Sequence, residues 1–107
     1  MDKRNFQRFN VNVAVRYRIL ESLAIPKVSQ TEDMSEGGIR MTLSEYVRPE
    51  TRLELTIHIP SQPWPIMAIG RVVWVKPESL NKQFITGIQL TYIRQKDKKL
   101  FYQYALS

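Results

Sequence analysis

"LELTIHI", residues 53–59, decides how the rest of the chain is read. Leu53, Leu55, Ile57 and Ile59 alternate with Glu54, Thr56 and His58. Successive side chains of a strand point to opposite faces, so a period of two with one apolar parity predicts a half-buried antiparallel strand. The same alternation runs through Val11, Val13, Val15, Tyr17 and Ile19, and again through Ile39, Met41 and Leu43. Two further runs, "IMAIGRVVWVK" (66–76) and "FITGIQLTYI" (84–93), are apolar on both parities and rich in Ile, Val, Thr, Tyr and Trp. They read as strands covered on both faces for part of their length.

The punctuation agrees. Pro26, Pro49, Pro60, Pro63, Pro65 and Pro77 fall between the runs, as expected of a residue that cannot donate to a sheet ladder. Gly70 and Gly87 fall inside them, which predicts a bulge or sharp coil of the kind that lets a small sheet close on itself. Only the tail reads as a helix, over 94–106. Leu100, Phe101 and Tyr104 share one face there, and Lys96, Lys98, Lys99 and Gln103 cover much of the rest. Five or six strands and one terminal helix predict an all-β fold, a small antiparallel barrel whose helix plugs an opening or covers an edge.

A chain of 107 residues is one domain by length and can bury a core without a disulfide or a metal. It has no cysteine, which excludes disulfide frameworks, thiolate metal sites and cysteine nucleophiles and agrees with a cytoplasmic address. The basic N-terminus is not followed by the apolar region of a signal peptide, and no run approaches the roughly 18 apolar residues of a membrane span. Lys plus Arg number 16 against 10 for Asp plus Glu, a formal charge of +6. That excess favours an anionic partner such as a nucleotide, a nucleic acid or an acidic surface, and it also serves solubility.

Catalytic chemistry is poorly provided for. His58, the only histidine, sits on the polar parity of its strand and reads as solvated. No cluster of His, Asp and Glu has metal-ligand spacing, and no histidine neighbours Ser35 to activate it. No enzyme, metal or cofactor is expected. Trp74, beside Val72 and Val73, reads as barrel core, with a rim residue beside a ligand as the alternative; Trp64 in "PSQPWPI" (60–66) is an exposed contact or a loop anchor. The "RQKDKK" run (94–99) reads as the solvated start of the helix.

Two stretches carry recognition chemistry. In "KRNFQRFNV" (3–11), Lys3, Arg4 and Arg8 are interleaved with Phe6 and Phe9. The segment is too short and its residues too poor as helix formers for a helix, so residues 1–9 read as an irregular arm leading into the barrel at 10–93. Phe6 and Phe9 would anchor it. Guanidinium forks bind phosphate oxygens and the guanine O6/N7 edge bidentately, and stack on flat rings. In "EDMSEGGIRM" (32–41), Asp33, Ser35, Gly37 and Gly38 precede a strand. Asp and Ser bond nearby backbone in turns, and paired glycines allow positive φ or a close backbone approach. The cluster is a hairpin turn with a polar entrance, or a small polar pocket in which Asp33 accepts from a purine edge and Ser35 adds a hydrogen bond.

In this order, Arg4-x-x-x-Arg8 and Asp33-x-Ser35-x-x-Gly38 resemble the RxxxR and (D/N)xSxxG motifs of PilZ domains, bacterial receptors for cyclic di-GMP. The 24 residues between them, 9–32, leave room for one long strand and a return loop. "LELTIHIP", "GRVVWV" and "TGIQL" are similar to later strands of the family. The resemblance implies a six-stranded antiparallel barrel with a C-terminal helix, formed by a single domain over 1–107. It also implies cyclic di-GMP as ligand. Arg4 and Arg8 would meet phosphate and the guanine Hoogsteen edge, and one of them would stack on a base. Asp33 and Ser35 would bind the other guanine edge, with Gly37 and Gly38 at the turn and Gly38 giving the backbone room. Lys3 stands where many members have arginine; it keeps the charge without the planar fork and would help hold a second ligand molecule. A single domain of this kind would act as a ligand-switched adaptor for an effector protein, with no nucleic acid and no membrane span involved. The alternatives are a basic barrel binding single-stranded nucleic acid and a non-binding PilZ-like assembly domain.

Overall fold

The computed structural model describes residues 13–35, 37–60, 62–78, 80 and 82–106. Within them, six strands close into an antiparallel barrel in the order β1-β2-β3-β6-β5-β4. The strands are β1 (Ala14–Ile19), β2 (Lys27–Met34), β3 (Gly38–Leu43), β4 (Arg52–His58), β5 (Ile66–Glu78) and β6 (Gln83–Ile93), followed by the helix α1 (Gln95–Leu106). The stretch that opened the sequence reading is the spine of this barrel. Leu53, Leu55 and Ile57 of β4 face Ile19, Tyr17 and Val15 of β1 on one side and Gly70, Ala68 and Ile66 of β5 on the other. All three are completely buried, as are Val15, Met41, Leu43, Ile66 and Val72. Phe101 of α1, also fully buried, joins the same core. Each such side chain contributes about 1.5–3 kcal/mol relative to exposure.

Two parts of the sheet depart from the sequence reading. β2 has no apolar alternation to betray it, because Thr31 and Asp33 are buried polar residues. Thr31 is held there by backbone pairing with Val13 and by accepting from the Val13 N–H at 3.0 Å. In β5 the alternation is clean only as far as Val72. Register shifts against β6 occur between Ile69 and Gly70 and between Val72 and Trp74, the bulges expected from Gly70 and Gly87. Beyond the second shift Val73 and Trp74 are exposed, so this half of the strand is not covered on both faces. Pro77 also lies within β5, opposite Phe84, and not between strands. The β4 pairing stops at Arg52–Arg71, so Pro77 sits where β5 has an unpaired edge and no N–H is required of it.

The helix is tied down at its start. Arg94 Nε donates to Asp97 Oδ2 at 2.7 Å, and the same oxygen accepts from the backbone N–H of Met67 at 3.5 Å. Asp97 is therefore buried, unlike the solvated turn expected of 94–99. No helix among the described residues is long and apolar enough to cross a membrane.

The registers also sort the connections between two ends of the barrel. Ala14 pairs with His58, Gly38 with Gln89 and Ala68 with Ile93. The start of β1, the β2–β3 turn, the β4–β5 loop and the end of β6 thus share one end. The β1–β2, β3–β4 and β5–β6 connections share the other. There, Tyr17 donates from its hydroxyl to Glu45 Oε2 at 2.9 Å, and Lys27 pairs with Glu45 Oε1 at 2.9 Å. Burial, reinforced by Glu45, pushes the Tyr17 hydroxyl above its usual range. The Lys27 ammonium holds the Glu45 carboxyl below its own.

Candidate functional site

The Asp-Ser-Gly-Gly cluster forms the β2–β3 hairpin. Asp33 is the penultimate residue of β2 and Gly38 the first of β3, so both belong to strands, and Ser35 and Gly37 lie in the turn between them. The turn is closed by Ser35 N–H donating to Gly38 O at 2.9 Å and Gly38 N–H to Ser35 O at 3.4 Å. It is also pinned to β6, where Leu90 N–H donates to Gly37 O at 3.1 Å. A Cβ on Gly38 would lie 2.3 Å from the carbonyl oxygen of Ile88. Its φ is not positive, so glycine is needed there for close approach alone, the second of the two uses expected of it.

Asp33 and Ser35 are both buried. Asp33 Oδ2 is 2.7 Å from Nη2 of Arg40 across the hairpin, where a bulge between Thr31 and Asp33 offsets the register. Sequence reasoning did not single out Arg40. A carboxylate has about four acceptor sites, so this contact does not exhaust Asp33. The Nε of Arg40 is buried without a hydrogen-bond partner among the described residues. A buried orphan donor costs about 1–3 kcal/mol, and an incoming acceptor would relieve that cost.

Between this hairpin and the β5–β6 ribbon lies an open cleft of about 400 Å³. Ser35, Gly37 and Gly38 line one side; Trp74, Gly87 and Gln89 line the other. Trp74 is therefore a rim residue, not a structural one. Its indole lies over Gly87, where a Cβ would come within 2.2 Å of Nε1. The glycine makes room for the ring, and Trp74 stays 42% exposed beside the cleft. Two features expected elsewhere are also located: His58 is exposed on β4 and Trp64 is exposed in its loop.

The structure thus brings Asp33, Ser35, Gly37 and Gly38 together. Lys3, Arg4 and Arg8, with Phe6 and Phe9, lie outside the described residues. The described chain begins at Val13, whose carbonyl accepts from Thr31 N–H at 3.0 Å. Thr31 is two positions before Asp33 on β2, a rise of about 7 Å. The described chain therefore begins at the end of the barrel that holds the hairpin. Among the described residues, no group of three His, Asp or Glu could hold a metal ion.

The family model for the PilZ domain matches residues 2–107. No curated protein matches the chain. Among solved structures, the Bacillus subtilis inhibitor of motility MotI/DgrA is similar, with a TM-score of 0.80 and 17% identity over 99% of this chain and 51% of that one. MrkH of K. pneumonia in complex with c-di-GMP gives 0.73 and 14%, over 99% and 52%. The PilZ domain of Escherichia coli YcgR with c-di-GMP gives 0.68 and 9%, over 98% and 90%. At these identities the likeness is one of fold, and the chain spans about half the length of the first two proteins.

Proposed function

The chain belongs to the PilZ domain family, and from that premise we propose that it is a receptor for cyclic di-GMP which passes the signal to a partner protein. The observation that carries this reading is the Asp33–Gly38 hairpin, packed against β6 beside the cleft and at the end of the barrel where the described chain begins. The ligand seen in the MrkH and YcgR structures supports it.

The chemistry matches. Cyclic di-GMP carries two phosphates and two guanines. Arg8 is five residues from Val13 and Arg4 nine, so extended chain lets them reach about 17 Å and 30 Å from it. Their guanidinium forks take phosphate oxygens and the guanine Hoogsteen edge, with Lys3 adding a third cation. Asp33 and Ser35 serve a guanine edge, Gly37 and Gly38 keep the backbone low, and Trp74 offers a ring on which a base stacks. Arg40 holds the Asp33 carboxylate in place. Fixing the arm costs about 1–2 kcal/mol per residue, so the ligand orders it only by contacts that exceed that sum. The ordered arm is then the surface a partner reads. This is binding chemistry and not catalysis.

Isothermal titration with cyclic di-GMP tests the proposal and gives the stoichiometry. Arg4→Ala and Arg8→Ala should each lose about 1.5–3 kcal/mol, roughly ten- to a hundredfold in affinity. Wild-type affinity in both variants would sink it. A single-stranded oligonucleotide that binds more tightly than cyclic di-GMP, with affinity falling steeply in salt, would favour a nucleic-acid role instead.

A further inference from the structure

The end of the barrel away from the cleft carries side chains of a different kind. Leu23 and Ile25 in the β1–β2 loop are 100% and 85% exposed, and Leu80 in the β5–β6 connection is 91% exposed. Val28 and Tyr46 are exposed beside them. These positions form one ridge. Lys27, next to Val28, pairs with Glu45; Tyr46, the next residue, packs its ring edge-on to Phe84 at 5.8 Å; and Phe84 lies four positions beyond Leu80.

The charges around the ridge are unbalanced. Glu45 and Glu54 are each taken up, by Lys27 and Arg18. Arg48, Arg52, Lys76 and Lys82 are exposed and take no part in an ion pair among the described residues. Glu21, two positions before Leu23, is the one exposed acid there with no ion pair among the described residues, so the free cations outnumber the free acid. Exposed apolar side chains set among free cations mark a surface for a partner that is both apolar and anionic.

We infer that this end of the barrel docks on an anionic lipid surface. Leu23 and Ile25 stand out on the β1–β2 loop and Leu80 on the β5–β6 connection, so a fluid layer that deforms around each of them fits better than a protein, which would need a pocket for each. The three aliphatic tips enter the boundary between headgroups and acyl chains. Arg48, Arg52, Lys76 and Lys82 meet the lipid phosphates, a contribution that falls with salt. The cleft, at the opposite end, stays open to solution while the protein is docked.

The test is co-sedimentation of the full chain, without nucleotide, with vesicles of phosphatidylcholine alone and of phosphatidylcholine with phosphatidylglycerol, at low and high salt. Binding is expected only to the vesicles with phosphatidylglycerol, weaker at high salt. The Leu23→Ser/Leu80→Ser variant should bind them roughly tenfold less or worse. Both leucines are solvent-exposed, so its thermal melt should match wild type. Three results would overturn the inference. The chain ignores the anionic vesicles. The leucine variant binds as well as wild type while Arg4→Ala/Arg8→Ala does not, which would assign binding to the N-terminal segment. Or ultracentrifugation shows a dimer that the leucine variant abolishes, which would assign the ridge to a second copy. None of these outcomes depends on whether cyclic di-GMP binds.

Discussion

The β2–β3 hairpin and the β5–β6 ribbon form the two walls of one cleft, and a Cβ added to a glycine in each would meet a different obstacle. At Gly38 the obstacle is the Ile88 carbonyl oxygen at 2.3 Å; at Gly87 it is the Trp74 indole, with Nε1 at 2.2 Å and Cε2 at 2.3 Å. The distances are nearly the same but their consequences are not. Backbone in a paired strand moves only by breaking the pairing, whereas an indole on an exposed rim can swing away by changing rotamer. The hairpin is therefore a hard wall and the ribbon a soft one. A ligand meets fixed hydrogen-bonding geometry on one side and an adjustable flat surface on the other.

The contrast is broken most severely from the hard side. Gly38→Val should destabilise the fold by about 2–3 kcal/mol, since three extra carbons are forced against β6 backbone. That lowers the melting temperature by about 10 °C or more in a domain of this size. Cyclic di-GMP binding should be lost with it, because the turn that presents Ser35 is displaced. A normal melt for this variant would show that the hairpin yields, and the distinction between the walls would fall.

How much of this was legible beforehand differs along the same line. The hard wall was largely readable. Ser35 and the two glycines are turn chemistry written within four residues, and the alternation through Ile39, Met41 and Leu43 placed the strand that follows them. The soft wall was not. Val72 and Trp74 have the same parity, so a period of two puts both inside; Val72 is indeed fully buried. The register shift between them inserts one residue and turns Trp74 outward onto Gly87. Sequence placed a bulge near Gly87 but not on which side of Trp74 it would fall. Arg40 escaped for a related reason. Its pairing with Asp33 depends on the offset between Thr31 and Asp33, which no local pattern announces. β2 itself was obscured because its inward residues are polar.

A milder blow tests the soft wall. Gly87→Ala should cost about 1–1.5 kcal/mol, the scale of a side chain forced off its preferred rotamer. Trp74, displaced into solvent, should red-shift the tryptophan emission against the constant contribution of exposed Trp64. Affinity for cyclic di-GMP should fall about three- to tenfold through the lost ring contact. A loss of stability as large as that of Gly38→Val would mean that Trp74 is locked and the ribbon is as hard as the hairpin.

The smallest effect on the fold is expected from removing the ring itself, and it separates the two walls most sharply. Trp74 is 42% exposed, so Trp74→Ala gives up only part of an aromatic burial and should cost under about 1 kcal/mol. Its cost should appear instead in ligand affinity, as the value of one base stacked on one ring, about 1–3 kcal/mol. The informative measurement is the double variant. With the indole gone, a Cβ at Gly87 has lost its three nearest neighbours, all atoms of Trp74. Because the φ of Gly87 is not positive, alanine fits the backbone and restricts the unfolded chain, a gain of about 0.4–1 kcal/mol. Gly87→Ala should therefore change from destabilising to neutral or stabilising in the Trp74→Ala background, a coupling measurable by a double-mutant cycle in urea. The same background should do nothing for Gly38→Val, whose obstacle is the Ile88 carbonyl. If Trp74→Ala rescued both, the two glycines would share one mobile neighbour; if it rescued neither, the crowding at Gly87 would lie in the β5–β6 backbone.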